Sequence, residues 1–294
     1  MFSLNLSGHP ETILVVNDIP GAGRVAGSIN LPVLAAAQLE AAILPTLILS
    51  SHAGSPGDLV RYPMGKAYKD CLIHWQQLGY HFDSILTGYF SDTKQIDDLR
   101  DYFLAERKLN PNLQLIMDPI MGDHGQFYPG FDQEVAGHLR ELIQYAEIVM
   151  PNLTEACLIL DRPYREDFSR DDIAEIAHEL LDLGAKIVIL TGAREHNQQE
   201  DKLGFYYASQ EGQEDLVLHQ YFDGYVFGTG DAVISLVAGA HLAGSSLADT
   251  VQFTADIVEK MIPYSLERNN YQIGPIHMEA FLAEIANYFA DIRK

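Results

Sequence analysis

Along this chain, short runs of aliphatic and β-branched residues alternate with longer stretches of helical period, and that alternation restricts the fold more than any single motif. The apolar runs lie at 12–16, 42–50, 84–88, 114–118, 147–150 and 186–190, with helical stretches at 24–40, 66–79, 92–108, 131–144, 153–160 and 170–183. A strand, a helix and another strand read as a βαβ unit, because parallel neighbours need a crossover of about a dozen residues. Repetition of that unit predicts an α/β fold around a mostly parallel sheet. Beyond residue 192 the pattern changes: 204–209 and 215–219 read as two antiparallel edge strands, and helices over 229–243, 246–262 and 277–291 finish the chain. The stretch 192–201, rich in Glu, Gln and Asn, reads as a mobile loop. No polar linker interrupts 1–294, so a single domain is expected.

In a parallel sheet, ligands gather outside the carboxyl ends of the strands, and the residues after each apolar run are where chemistry belongs. Here they are Asn17-Asp18, Ser51-His52-Ala53-Gly54, Thr87-Gly88-Tyr89, Asp118-Pro119-Ile120-Met121-Gly122-Asp123, Asn152-Leu153-Thr154-Glu155 and Thr191-Gly192. A further string, Gly228-Thr229-Gly230-Asp231, opens the helix expected from 229. Its glycines let the backbone approach an anion, and the first helical turn offers unpaired N–H groups, so phosphate oxygens are the natural guest. A carboxylate at Asp231 would repel that phosphate unless it takes a proton from a hydroxyl attacking phosphorus. Taken alone, the string reads equally well as an acidic cap after a glycine turn. Asp118, Asp123 and Glu155, collected on the same rim, would repel one another without a hard divalent cation between them; Mg²⁺ takes oxygen ligands and keeps several waters. Singly, Asp118-Pro119 also makes a good turn and Glu155 a favourable first-turn acid.

Composition removes other classes. With 19 Lys+Arg against 41 Asp+Glu, the net charge of −22 argues against nucleic acid and anionic membrane surfaces. Phosphate must then be held by local backbone and a cation, which suits the scarcity of Lys and Arg around these motifs. Cys71 and Cys157 lack metal spacing and stand alone, so a reduced, cytoplasmic protein is expected. Met1-Phe2-Ser3-Leu4-Asn5 has no basic start and no long apolar run, and the sequons at Asn5 and Asn152 then carry no glycan. Gly21, Gly23 and Gly27, with Glu40 downstream, imitate a dinucleotide fingerprint, but the third glycine comes one residue late and Asn17-Asp18-Ile19-Pro20 precedes the first. Gly65-Lys66 is no P-loop, and no Gly-x-Ser-x-Gly elbow occurs. His52, His124 and His219 lack paired ligand spacing, although His52 suits a pocket wall; Tyr89, Phe127 and Tyr128 read as core or rim aromatics.

The order of motifs resembles the ribokinase superfamily, and within it the vitamin B6 kinases, over nearly the whole chain. Met117 to Asp123, Pro151 to Ala156, Leu190-Thr191-Gly192 and Gly228-Thr229-Gly230-Asp231 carry the resemblance, supported by Thr87-Gly88-Tyr89 and Ser51-His52-Ala53-Gly54. It implies a three-layer α/β/α fold, ATP-dependent phosphorylation of the hydroxymethyl group of a B6 vitamer, Mg²⁺ with a monovalent cation such as K⁺, and a homodimer. On this sequence the general base falls on Asp231 and the anion hole on Gly228, Thr229 and Gly230. Mg-ATP contacts fall on Asp118, Asp123, Asn152, Glu155, Thr191 and Gly192, the metal on Asp118, Asp123 and Glu155, and the adenine side near Tyr221, Phe222 and Gly224. Substrate contacts fall on Asn17, Asp18, His52, Ala53, Tyr89 and Tyr128. Two departures stand out: relatives commonly carry Ser at the first strand end and Thr where Ala53 stands, and the glycine-rich first loop is unusual, which bears on vitamer choice. Hydroxymethylpyrimidine or a sugar is the alternative substrate, and a non-catalytic B6-binding protein the alternative of another kind.

Overall fold

Strand β1 (Thr12–Pro20) explains why its apolar run is continuous rather than alternating. Leu14 and Val16 face one core while Ile13 and Val15 face another, and none of the four has exposed surface. A strand covered by helices on both sides must be apolar at every position. The computed structural model describes residues 11–52, 54, 57–196, 201–270 and 272–293; Asn5 and Ala53 lie outside the described residues.

After β1 come α1 (Gly27–Ala36), β2 (Glu40–Leu49), β3 (Arg61–Pro63), α2 (Lys66–Leu78), β4 (Ser84–Thr87), α3 (Thr93–Arg107) and β5 (Gln114–Met117). A short hairpin, β6 (Gly122–Asp123) and β7 (Gln126–Phe127), leads to α4 (Gln133–Ile143), β8 (Ile148–Val149), α5 (Leu153–Leu160) and α6 (Arg170–Asp182). The chain continues through β9 (Ile187–His196), β10 (Asp201–Ser209), β11 (Glu214–Gln220), β12 (Val226–Phe227), α7 (Thr229–Leu242) and α8 (Leu247–Arg268). It closes with β13 (Gly274–Pro275), a 3-10 turn (Met278–Ala280) and α9 (Leu282–Ile292).

The described residues form a nine-stranded sheet in the order β11-β10-β9-β8-β5-β4-β1-β2-β3. Pairing is parallel from β9 through β2 and antiparallel at both edges. Helices α2 to α6 pack on one face and α1, α7, α8 and α9 on the other, giving the expected three layers. Each layer is fixed by which way a strand residue points: Val188 and Leu190 join the α2–α6 core, while Ile189 joins the α7–α8 core.

Two local expectations change. The stretch 192–201 is not a loop throughout: β9 runs on to His196 and pairs antiparallel with β10, resuming at Asp201. Ladder hydrogen bonding outweighs the polar composition here, and the register shift opposite Gly204 and Phe205 leaves Gly192 as a bulge at φ 78°. The β3 edge strand and the short β6–β7 and β12–β13 pairs had no sequence signal of their own, being too short for a period to show.

Candidate active site

Asn17 within β1, Gly88 and Tyr89 after β4 and Asp118 after β5 gather at the start of α7, with Glu155 and the bridged pair Asn152 and Thr191 beside Asp118. Gly228 makes that approach possible. It caps α7 at φ 83°, and a Cβ on it would lie 2.2 Å from the Arg24 carbonyl oxygen, so the loop after β1 and the helix start touch backbone to backbone. Thr229 anchors the turn by donating its hydroxyl to the Val226 carbonyl at 3.0 Å. Asp118 Oδ2 reaches to 3.9 Å from where a side chain on Gly230 would begin. The first-turn N–H groups of α7 and the Asp118 carboxylate therefore border one space.

Asp231 sits in the first turn of α7, partly open to the cleft. Asn17 Nδ2 donates to its Oδ1 at 3.1 Å, and the Ala26 N–H donates to the same carboxylate. Ala26, a non-glycine residue at φ 51° that precedes α1, lies beside the acid, and its N–H lowers the Asp231 pKa. Burial raises the Asp231 pKa above its usual 3.8, and these donors oppose the rise. Asn17, buried within β1 where the β1–β2 register shifts, has its own amide held: Oδ1 accepts from the Asp18 and Tyr89 N–H groups at 3.0 and 2.9 Å. Gly88 admits this arrangement, because a Cβ there would fall 2.5 Å from Asn17 Nδ2.

Asp18 is 8% exposed, and its carboxyl is pushed up to about 7 by burial first and by the neighbouring Asp231 second. It stands close enough to Tyr89 for its charge to help raise the phenol, whose shift is mainly burial and is opposed by Arg61. Around them lies an aromatic wall. His52 packs on Phe227 with ring centroids 4.3 Å apart, Tyr225 meets Phe227 edge-on at 5.7 Å, and Tyr89 tilts against Phe131 at 5.2 Å. Burial lowers the His52 pKa, which favours a neutral imidazole. Tyr128 is 37% exposed; burial and the charges of Glu155, Asp123, Tyr225 and Asp118 raise its phenol pKa. Phe227, Tyr225, Phe131 and Arg61 were missed from sequence because they enter through β3, β12 and the loop before α4, none of which announces itself.

On the opposite side, Asn152 and Glu155 form a reciprocal cap on α5: Glu155 N–H donates to Asn152 Oδ1 at 2.8 Å, and Asn152 N–H to Glu155 Oε2 at 2.9 Å. Glu155 Oε1 also accepts the Met121 N–H at 3.1 Å, while Asn152 Nδ2 holds the Gly122 carbonyl at 3.0 Å. Burial still drives the Glu155 carboxyl up to about 8 despite these donors. Asp118 is raised well above the ordinary range by burial, then by Glu155 and Asp231. Thr191, within β9, bridges to Asn152, and Gly192 is exposed beside it. Tyr221 and Phe222 are partly buried; Arg194 lies 4.5 Å over the Tyr221 ring, and Gly224 packs on Leu266 of α8.

Asp118, Asp123 and Glu155 are not gathered as a ready metal cage; among the described residues no three His, Cys, Asp or Glu side chains form one. Asp123 belongs to the β6–β7 hairpin and turns Oδ1 to the His124 N–H at 2.8 Å, and both Glu155 oxygens already accept backbone N–H groups. The donor chemistry nonetheless suits a hard cation that keeps most of its water: Asp118 and Glu155 are buried, oxygen-only and mutually repelling, which a cation would relieve.

Residues 78–277 match the phosphomethylpyrimidine kinase family. The chain is 26% identical over 203 residues to a pyridoxal kinase of Actinobacillus pleuropneumoniae, spanning 68% of this chain and 69% of that protein. A Bacteroides thetaiotaomicron structure, provisionally assigned as a phosphomethylpyrimidine kinase and solved with pyridoxal, superposes with a TM-score of 0.86 at 28% identity over 94% of this chain and 96% of that one. Pyridoxal kinase from Lactobacillus plantarum superposes with a TM-score of 0.83 at 27% identity, over 95% and 97% of the two chains. The chain belongs to the phosphomethylpyrimidine kinase family, within the ribokinase superfamily.

Proposed function

We propose that this protein transfers the γ-phosphoryl group of ATP to the 5′-hydroxymethyl group of a B6 vitamer: pyridoxal, pyridoxamine or pyridoxine. The observation that carries the reading is Asp231, a carboxylate fixed by Asn17 and Ala26 at the mouth of an anion-binding helix start. In the reaction Asp231 accepts the hydroxyl proton as the oxygen approaches phosphorus in line, and the α7 N–H groups of Thr229 and Gly230 face the charge that develops on the transferring group. His52, Tyr89, Tyr128 and Phe227 would enclose a flat aromatic ring, with Asp18 supplying a polar contact, while Asn17, its own donors and acceptor already engaged, would act by holding Asp231. Asn152, Thr191 and Gly192 would line the phosphate tail, and Tyr221, Phe222 and Gly224 the nucleoside end. The residues that would hold Mg²⁺ are Asp118 and Glu155, with Asp123 as a further candidate; when bound it would offset the negative charge of the phosphates. A monovalent cation, a cytoplasmic location and a homodimer complete the proposal and rest on the resemblance.

The test is a coupled ADP-release assay with Mg-ATP and pyridoxal, pyridoxamine, pyridoxine, hydroxymethylpyrimidine and ribose. Fast turnover on a B6 vitamer is expected. Because the matched family takes its name from a pyrimidine, turnover on hydroxymethylpyrimidine alone would keep the mechanism and replace the substrate; no turnover on any would leave a binding protein.

A further inference from the structure

Asn30 lies on α1 and has no exposed surface. An amide deep inside a helix layer is unfavourable unless all its polar atoms are engaged, and here they are. Its Oδ1 accepts from Asn17 Nδ2 at 2.9 Å. Its Nδ2 donates to the Asp231 backbone carbonyl at 3.1 Å and to Ser235 Oγ at 2.9 Å. Ser235 in turn donates its hydroxyl to the same Asp231 carbonyl at 2.7 Å. One side chain thus grips the proposed base from two sides: through its backbone on α7, and through Asn17, the residue that donates to its carboxylate.

Asn17 Nδ2 carries two N–H groups, and the structure gives both an acceptor, Asn30 Oδ1 and Asp231 Oδ1. Remove the first acceptor and the Nδ2 end of the Asn17 amide loses one of its two anchors, about a terminal torsion that is broad and roughly two-fold. The Asp18 and Tyr89 N–H groups restrain the oxygen end of the Asn17 amide, which leaves its Nδ2 end to be set by Asn30 and Asp231. We propose that Asn30 is a positioning residue for phosphoryl transfer, aligning the Asp231 carboxylate with the incoming hydroxyl through Asn17 while itself touching neither substrate nor nucleotide. This deepens the kinase reading and rests on it for its kinetic consequence; the geometric claim stands apart.

Asn30→Ala is expected to lower kcat by ~10–100-fold, the scale of a misplacement near 1 Å, while KM for vitamer and for ATP moves less than about threefold. A merely structural amide would give a smaller folded fraction with an unchanged kcat per folded molecule. In a cycle with Asn17→Ala, the two losses should overlap rather than multiply, because Asn30 acts through Asn17. Ser235→Ala removes a buried partner of Asn30 but leaves the Asn17 link, so it should lower the melting temperature with kcat within about threefold of the wild type. If Asn30→Ala does not fold, Asn30→Leu fills the volume and makes the same break. Crystal structures of the wild type and an Asn30 variant supply a readout independent of activity: the Asn17 amide should leave Asp231 Oδ1 in the variant. An Asn17 amide that stays in place, a kcat loss that multiplies with Asn17→Ala, or a KM rise without loss of kcat would each overturn the proposal. A wild type inactive on every vitamer would instead overturn the kinase reading, with the crystallographic comparison still deciding the role of Asn30.

Discussion

Asp231 and Asp118 approach the same start of α7, and the protein treats them in opposite ways. Asp231 receives N–H donors from Asn17 and Ala26, so its pKa rises from burial against resistance. For Asp118 the main influences are burial and two like charges, Glu155 and Asp231, and its pKa is driven well above the ordinary range. A base must be ionised before the substrate arrives, and the chain supplies the donors that help it stay so. A carboxylate meant to meet a cation needs no donors of its own, since the cation supplies the balancing charge. The difference separates the acid we propose as base from the acid we propose as cation ligand.

The strongest way to break this comparison is Asp231→Asn, which keeps shape and loses basicity. It should fold normally and lose about 10²–10⁴-fold in kcat, the usual contribution of a positioned base. Wild-type turnover in that variant would remove Asp231 from the mechanism. Asp118→Asn sharpens the other half: relief of repulsion should raise the melting temperature of the metal-free protein while apparent Mg²⁺ affinity falls by about 10–100-fold, the scale seen when metal-site support is lost. Loss of stability together with unchanged Mg²⁺ dependence would contradict the assignment.

Gly228→Ala tests the scaffold that brings the two acids together. The clash with the Arg24 carbonyl and the φ of 83° should cost at least about 1–3 kcal/mol, read as a lower midpoint in denaturant. An unchanged midpoint would mean the helix start relaxes freely. The smallest effect is a pH profile. Asp18, near 7, and Glu155, near 8, bind protons more tightly folded than at their ordinary values of 3.8 and 4.5. Their stabilising contribution is complete below those ordinary values and is lost as pH rises through about 7 and then about 8. The melting temperature of the metal-free protein should therefore fall across that interval. Asp18→Asn should flatten the lower part and Mg²⁺ the upper, whereas a melting temperature that rises with pH would show the carboxyls to be solvated.

The residues legible in the sequence were those placed by local rules. Asp118 follows a buried strand, Asp231 opens a glycine-started helix, and Glu155 stands in the first turn of the helix after β8, so the rim of a parallel sheet names them without coordinates. Asp123 shows where local rules stop: it follows the same strand, yet the β6–β7 hairpin turns it to its own neighbour His124 instead of gathering it with Asp118 and Glu155. Asn30 left no trace at all, since a polar residue inside a mostly apolar helix has no period to reveal it. Phe227 and His52 lie 175 positions apart in sequence, 227 against 52, and meet only because β12 folds over the loop after β2.

By itself, then, the sequence determined the α/β class, the mostly parallel sheet and the acids that follow its strands, because each follows from periodicity and capping within a few residues. Tertiary structure alone decided which acid is given donors, which is left buried against like charges, and that Asn30 on α1 bonds Asn17 of β1 and the backbone of Asp231 on α7. Those outcomes depend on burial and on side-chain contacts between distant segments, and both exist only once the helices have packed on the sheet.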